Sequence, residues 1–292
     1  MKFLTQYFQT KLTQAGYPSE LDIEWSLSYC QGDGVAFYGD IDDDSLTALF
    51  TRYLKECEQL NEVTKQQALN DWEHIWLPQL SAFSRDSGWC SPCIVRNGFA
   101  LHYSHWNTME LEHDDVASLG IFDNARYGAE FMDAYALNET ALAFFAKRLE
   151  AFYMWLADDI KSQSRALERI GYKVLELGTV SEVHTYVRNS ANYRIELITS
   201  PADLQDAWYG YDGTAAEYVE QILNGTMYVN ATATIYDRTD DCKLGSSTRC
   251  DIEIHETEMD GKGAKPYRYD LVSDAISEVR SRITRHAGLM AH

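Results

Sequence analysis

Three groups of residues in this chain have types and spacings that invite a chemical reading. Trp89, Cys90, Ser91, Pro92 and Cys93 form a C-x-x-C run, the pattern of a thiol oxidoreductase when the first thiolate sits at a helix amino terminus behind a buried strand. Here Leu80 to Gly88 is rich in Ser, Arg, Asp and Gly, and Ile94 to Tyr103 has strand character, so the context that activates such a thiolate is missing. Adding His102 and His105 gives C-x2-C-x8-H-x2-H, ligand types suited to tetrahedral zinc. Two histidines three apart on one strand point to opposite faces, so a zinc or thiol enzyme built on Cys90, Cys93, His102 and His105 needs a turn at Ser104. A hairpin carrying two packed thiols explains the same residues without a metal. The third group is aromatic: Trp208, Tyr209 and Tyr211, set around Gly210 and followed by Gly213, form a loop just ahead of a helix. Aromatics of this kind anchor protein interfaces, and core packing of the following helix is the competing explanation. With Trp106, which opens an alternating run, they are the candidate partner-binding residues.

Other patterns fall short of a site. Gly32, Asp33 and Gly34 lack the G-x-x-x-x-G-K-[ST] arrangement and place an aspartate where a phosphate would lie. Asp40, Asp42, Asp43 and Asp44 are hard oxygen ligands, but no calcium-loop glycine and terminal glutamate follow; carboxylates ahead of a helix stabilise its amino-terminal dipole instead. A G-x-S-x-G nucleophile is absent from the sequence. No catalytic residue, metal or cofactor is expected.

Composition narrows the partners. The 292 residues hold 45 Asp plus Glu against 25 Lys plus Arg, a formal charge of −20, which repels nucleic acid and anionic lipid at long range. At 45% hydrophobic and 13% aromatic with five prolines, the chain is too rich in core material for an acidic disordered tail. Met1 to Gln14 is amphipathic without a signal-peptide core, and the longest apolar run, Ala141 to Ala146, is far below the roughly 20 residues of a membrane span. A cytoplasmic protein with no membrane partner is expected, and its six cysteines default to thiols there. Cys242 and Cys250 would bracket a hairpin tip.

The elements that must position these residues follow from periodicity. Asp22 to Cys30 alternates as a strand, with Ile23, Trp25, Leu27 and Tyr29 on one face, and glycines lead into a second strand carrying Val35 and Phe37. Leu46, Leu49, Phe50, Tyr53, Leu54, Cys57 and Leu60 recur at helical spacing, and a further helix covers Lys65 to Leu80. A second hairpin runs from Ile94 to Glu112. A long helix covers Asn138 to about Arg169, with Leu142, Phe145, Leu149, Phe152, Leu156 and Ile160 on one seam. Val183 to Thr199 reads as strand, Ala215 to Leu223 as helix, Met227 to Ile235 and Cys250 to Ile254 as strands, and Asp270 to His286 as a closing helix. Strands arriving as hairpins predict an α+β fold of antiparallel sheets packed with helices around one long helix. Two α+β domains are expected, an acidic one over 1–165 and a second over 166–292.

Trp25 to Gly39 (WSLSYCQGDGVAFYG) and Leu101 to Glu112 (LHYSHWNTMELE) resemble an accessory module common in phage and prophage proteins. In length, acidity and two-part organisation the whole chain is similar to the phage anti-Gabija proteins, which inhibit a bacterial antiphage nuclease–helicase complex. That resemblance implies a non-enzymatic inhibitor that binds the Gabija complex, homo-oligomerises around it and blocks DNA binding and cleavage; no site residue is carried over. The charge suits attraction to a basic DNA-binding surface. It equally suits an acidic DNA-mimic antirestriction protein, although the many tyrosines and tryptophans argue against that alternative.

Overall fold

The computed structural model describes residues 1–29, 33–78, 80, 92–96, 109–113, 139–177, 183–255 and 265–290. Among the described residues sixteen elements follow one another, and their strands form two antiparallel four-stranded sheets, so the fold is α+β. Two compact units are present: Phe8–Ile170, and Met1–Tyr7 together with Gly171–His292.

In the first unit, β1 (Asp22–Ser26) pairs with β2 (Gly34–Asp40), and β3 (Cys93–Arg96) links β2 to β4 (Met109–Glu112). The β1 strand is shorter than its alternation suggests. Tyr29 has a positive φ of 59° and is exposed, so it belongs to the turn rather than to a buried face. Asp33 closes this turn: although only 6% exposed, its carboxylate accepts from the Ser26 hydroxyl (2.9 Å) and the Ser28 amide (2.8 Å). A buried carboxylate fed by several donors holds the two strand ends together.

After the amino-terminal helix α1 (Lys2–Gln14) and the first hairpin, helix α2 (Asp43–Glu56) starts at Asp42, whose side chain accepts the Ser45 amide at 2.7 Å. Asp43 and Asp44 occupy its first turn, the arrangement that favours a helix dipole. Its buried Phe50 stacks on Trp72 at 4.2 Å and meets Phe152 edge-on at 5.3 Å. Trp72 opens a π-helical turn, Trp72–Trp76, that continues α3 (Glu62–Asp71). The wider turn accommodates two bulky indoles on the core side: both are buried, and Trp76 stacks on Phe145 at 3.8 Å.

The long helix α4 (Glu139–Leu177) extends beyond the predicted Arg169. Phe145, Leu149, Phe152, Leu156 and Ile160 form its buried seam. Farther along, the Ser164 hydroxyl, wholly buried, donates to the Val35 carbonyl. Beside the seam, Asp159 accepts from the Tyr17 hydroxyl at 2.6 Å and pairs with Arg52, which also donates to the Ala15 carbonyl. Burial, followed by the Asp159 charge, pushes the Tyr17 hydroxyl well above its ordinary pKa.

In the second unit, the sheet runs β5 (Val183–Asn189), β6 (Tyr193–Pro201), β7 (Thr226–Asp237) and β8 (Lys243–His255) in order. The segment read as one strand over Val183 to Thr199 is therefore a hairpin turning at 190–192. One sheet face, with Leu197, Val229, Ala231, Ala233, Ile235, Ile252 and Ile254, buries against Leu271, Ala275 and Val279 of a carboxyl-terminal helix, Lys265–Met290. That helix also closes the sheet edge, where Glu278 accepts the Ser246 amide at 2.7 Å and Arg282 donates to the Leu244 carbonyl at 3.3 Å. Such contacts satisfy groups that would otherwise invite another strand.

Candidate partner-binding surface

Between β6 and β7 the chain forms two short helices, α5 (Leu204–Tyr209) and α6 (Ala215–Leu223); the carboxyl-terminal helix is then α7. Asp203 caps α5 by accepting the Gln205 amide at 2.7 Å. A capping box starts α6: the Glu217 amide donates to the Thr214 hydroxyl and the Thr214 amide to the Glu217 carboxylate, at 3.2 and 2.8 Å. These reciprocal bonds satisfy helix-end donors, and the Thr214 amide holds the Glu217 carboxyl below its usual range. The two caps fix the loop that carries the aromatic residues.

Those aromatics separate into two roles. Trp208 is half-buried among Phe3, Tyr218 and Tyr211, with ring centroids 6.2, 5.4 and 5.9 Å away. Tyr211, also half-buried, lies 5.1 Å from Tyr218. Tyr218 is buried and donates to the Leu204 carbonyl at 2.9 Å, and desolvation raises its hydroxyl far above the ordinary value. Trp208 and Tyr211 thus build the aromatic core beneath the loop. Tyr209 points away from that core and is 67% exposed.

The charged residues of the segment that carries Tyr209 are all acidic, while Lys2, whose amide donates to Gln205 Oε1 at 2.7 Å, brings a base beside the same helix. Residues 201–226 contain Asp203, Asp206, Asp212, Glu217 and Glu220 and no Lys, Arg or His, and all five carboxylates are exposed. On β8, Asp251 and Glu253 are exposed as well; burial first, then the charges of Glu217 and Glu253, raise the Tyr211 hydroxyl. An exposed aromatic side chain among carboxylates provides apolar contact and a negative field together.

The remaining candidate residues are distributed as follows. Trp106, Cys90, His102 and His105 lie outside the described residues. Cys93 is the first residue of β3 and half-buried. Among the described residues, no group of three or more His, Cys, Asp or Glu side chains is placed to hold a metal ion. Cys242 and Cys250 do not bracket a hairpin tip: the β7–β8 turn ends at Cys242, and Lys243 to Arg249 is strand. Eight residues of strand rise place them roughly 27 Å apart, beyond disulfide reach. A hydrogen bond with Asp240 raises the exposed Cys242 thiol, which disfavours the reactive thiolate. Among the described residues, no helix is long and apolar enough to cross a membrane. The chain matches no family model, no curated protein and no solved structure.

Proposed function

We propose that this protein is a phage-encoded inhibitor that binds a bacterial antiphage nuclease–helicase, the Gabija complex, in the host cytoplasm and blocks its access to DNA. The reading is supported by the Tyr209 surface, where an exposed aromatic ring lies among carboxylates with no neighbouring base in residues 201–226. A DNA-processing enzyme presents the complementary basic surface, and a −20 protein is drawn to it faster than a neutral one. The choice of target comes from the resemblance of Trp25 to Gly39, of Leu101 to Glu112 and of the whole chain's acidic, two-part character. Inhibition is by stoichiometric occlusion, without catalysis, and the inhibitor acts as a homo-oligomer.

The test is capture of the tagged full-length protein from bacteria expressing the Gabija complex, light scattering of the eluate and a parallel DNA-cleavage assay. A stable large complex with lost cleavage is expected. Undiminished cleavage with no complex overturns the reading. Salt-sensitive inhibition of several unrelated DNA enzymes instead identifies a DNA mimic.

A further inference from the structure

The outer side of α4 carries a regular stripe of exposed side chains. Phe144, Lys147, Ala151, Met154, Asp158 and Lys161 follow one another at alternating spacings of three and four, and every one is exposed. They lie opposite the buried seam of Phe145, Leu149, Phe152, Leu156 and Ile160. Phe144 is 62% and Met154 68% exposed, and the Arg148 guanidinium lies over the Phe144 ring, 4.7 Å from its centroid. A three–four repeat is the pattern by which one helix packs along another.

The same stripe is complementary to itself when reversed. A two-fold axis beside the point midway between residues 152 and 153 brings Ala151 of one copy opposite Met154 of the other. It also brings Lys147 opposite Asp158, and Phe144 opposite Lys161. Each pairing occurs twice, and each is favourable: a methionine side chain over a small residue, a cation against a carboxylate, and a lysine stem over an aromatic ring. Lys147, Asp158 and Lys161 form no ion pair with a described residue of their own chain. The neighbouring groove, about 550 Å³, sets Glu56, Glu58 and Leu60 beside Phe144, Lys147 and Ala151, so carboxylates border the place where the second copy's Lys161 arrives.

We infer that α4 is a homodimerisation helix, pairing antiparallel with α4 of a second copy along Phe144 to Lys161. The seam is about 26 Å long at helical rise and contains both signs of charge, which fixes its direction and register. This assignment concerns the chain's own assembly and is independent of the nuclease target.

Light scattering and sedimentation of the full-length protein, from micromolar to high-micromolar concentration, test it. The mass is expected to rise from the 33.4 kDa monomer toward twice that value. Met154→Glu and the single swaps Lys147→Glu and Asp158→Lys should each weaken the dimer by roughly tenfold or more, because every change acts twice across a two-fold interface. The double swap Lys147→Glu with Asp158→Lys should restore it, and a mixture of the two single-swap proteins should form heterodimers. Circular dichroism confirms that each variant is folded, and the restored double swap excludes a folding defect as the cause. A strictly monomeric protein, or a dimer indifferent to all these changes, overturns the assignment. If the protein is strictly monomeric and still inhibits the nuclease, the assignment fails while the proposed target stands.

Discussion

Residue types alone did not divide the aromatic loop into its two roles. Trp208 and Tyr209 are adjacent in sequence, yet one packs among three rings and the other faces solvent. The distinguishing factor is the direction of Tyr218, which α6 turns under Trp208, and no local pattern in the sequence specifies that direction. Trp208→Ala is expected to destabilise the protein by about 2–3 kcal/mol, somewhat below a fully buried indole, whereas Tyr209→Ala should stay within about 0.5 kcal/mol and reduce partner binding. Urea unfolding of the two variants, beside binding to the nuclease complex, checks both statements. A second residue-level consequence comes from Tyr17. Its folded pKa is raised, chiefly by burial, so stability is fully present below the unfolded tyrosine value of about 10 and falls as pH climbs toward the folded one. Above about pH 10 the unfolded chain has released a proton that the folded protein retains. Tyr17→Phe should therefore lower stability at neutral pH, by losing the Asp159 bond, and flatten the loss above pH 10 in a denaturation series. Asp33 illustrates another limit of reading residues singly: an acidic residue between two glycines reads as a solvated turn, and its burial depends on where Ser26 and Ser28 are brought by the hairpin.

Elements were legible where local chemistry and periodicity agreed. Ala215 to Leu223 is announced by its apolar spacing, and the helix has those bounds, opened by the capping box that the structure shows between Thr214 and Glu217. The first hairpin and the long helix were equally visible, though the helix runs eight residues past its predicted end, straight through Gly171, to bury Val174 on the following turn. The β5–β6 hairpin was hidden by apolar and polar residues that alternate on either side of Ser190, Ala191 and Asn192. The first half of β8 was hidden for the opposite reason: Lys243 to Arg249 has almost no apolar residues, and it becomes a strand through its ladder with β7 and the contacts from α7. Gly245 shows what that docking requires. A β-carbon there would lie 2.8 Å from Val279 Cγ2 and 3.4 Å from the Ala275 carbonyl oxygen, closer than the stiff valine side chain tolerates. Gly245→Ala should push α7 from the sheet and cost about 1–3 kcal/mol, with faster amide exchange at Ser246 as the local sign that the Glu278 clamp has loosened.

At the scale of the whole molecule, charge is the property that the sequence states most directly and the fold refines. Summed over the chain it is −20, with 25 acidic and 10 basic residues in positions 1–160, yet the longer-range field alone does not choose between docking on a nuclease and imitating DNA. The fold adds two local differences. The Tyr209 surface joins carboxylates to an aromatic anchor, whereas the outer face of α4 mixes both signs and repeats in a self-complementary order. If the first surface meets the nuclease and the second meets another copy, the two associations must respond differently to salt and to substitution. Asp206→Asn with Asp212→Asn removes two exposed charges whose side chains cap no helix. The doubly substituted protein should keep its dimer mass while its association rate with the nuclease complex falls severalfold at low salt. That difference should shrink near 1 M salt, where the screening length is about 3 Å. Surface-plasmon association rates across a salt series, measured beside light scattering of the same preparations, decide the matter. An unchanged association rate at low salt would remove the Tyr209 surface from the encounter, and a lost dimer would show that the two surfaces do not act separately.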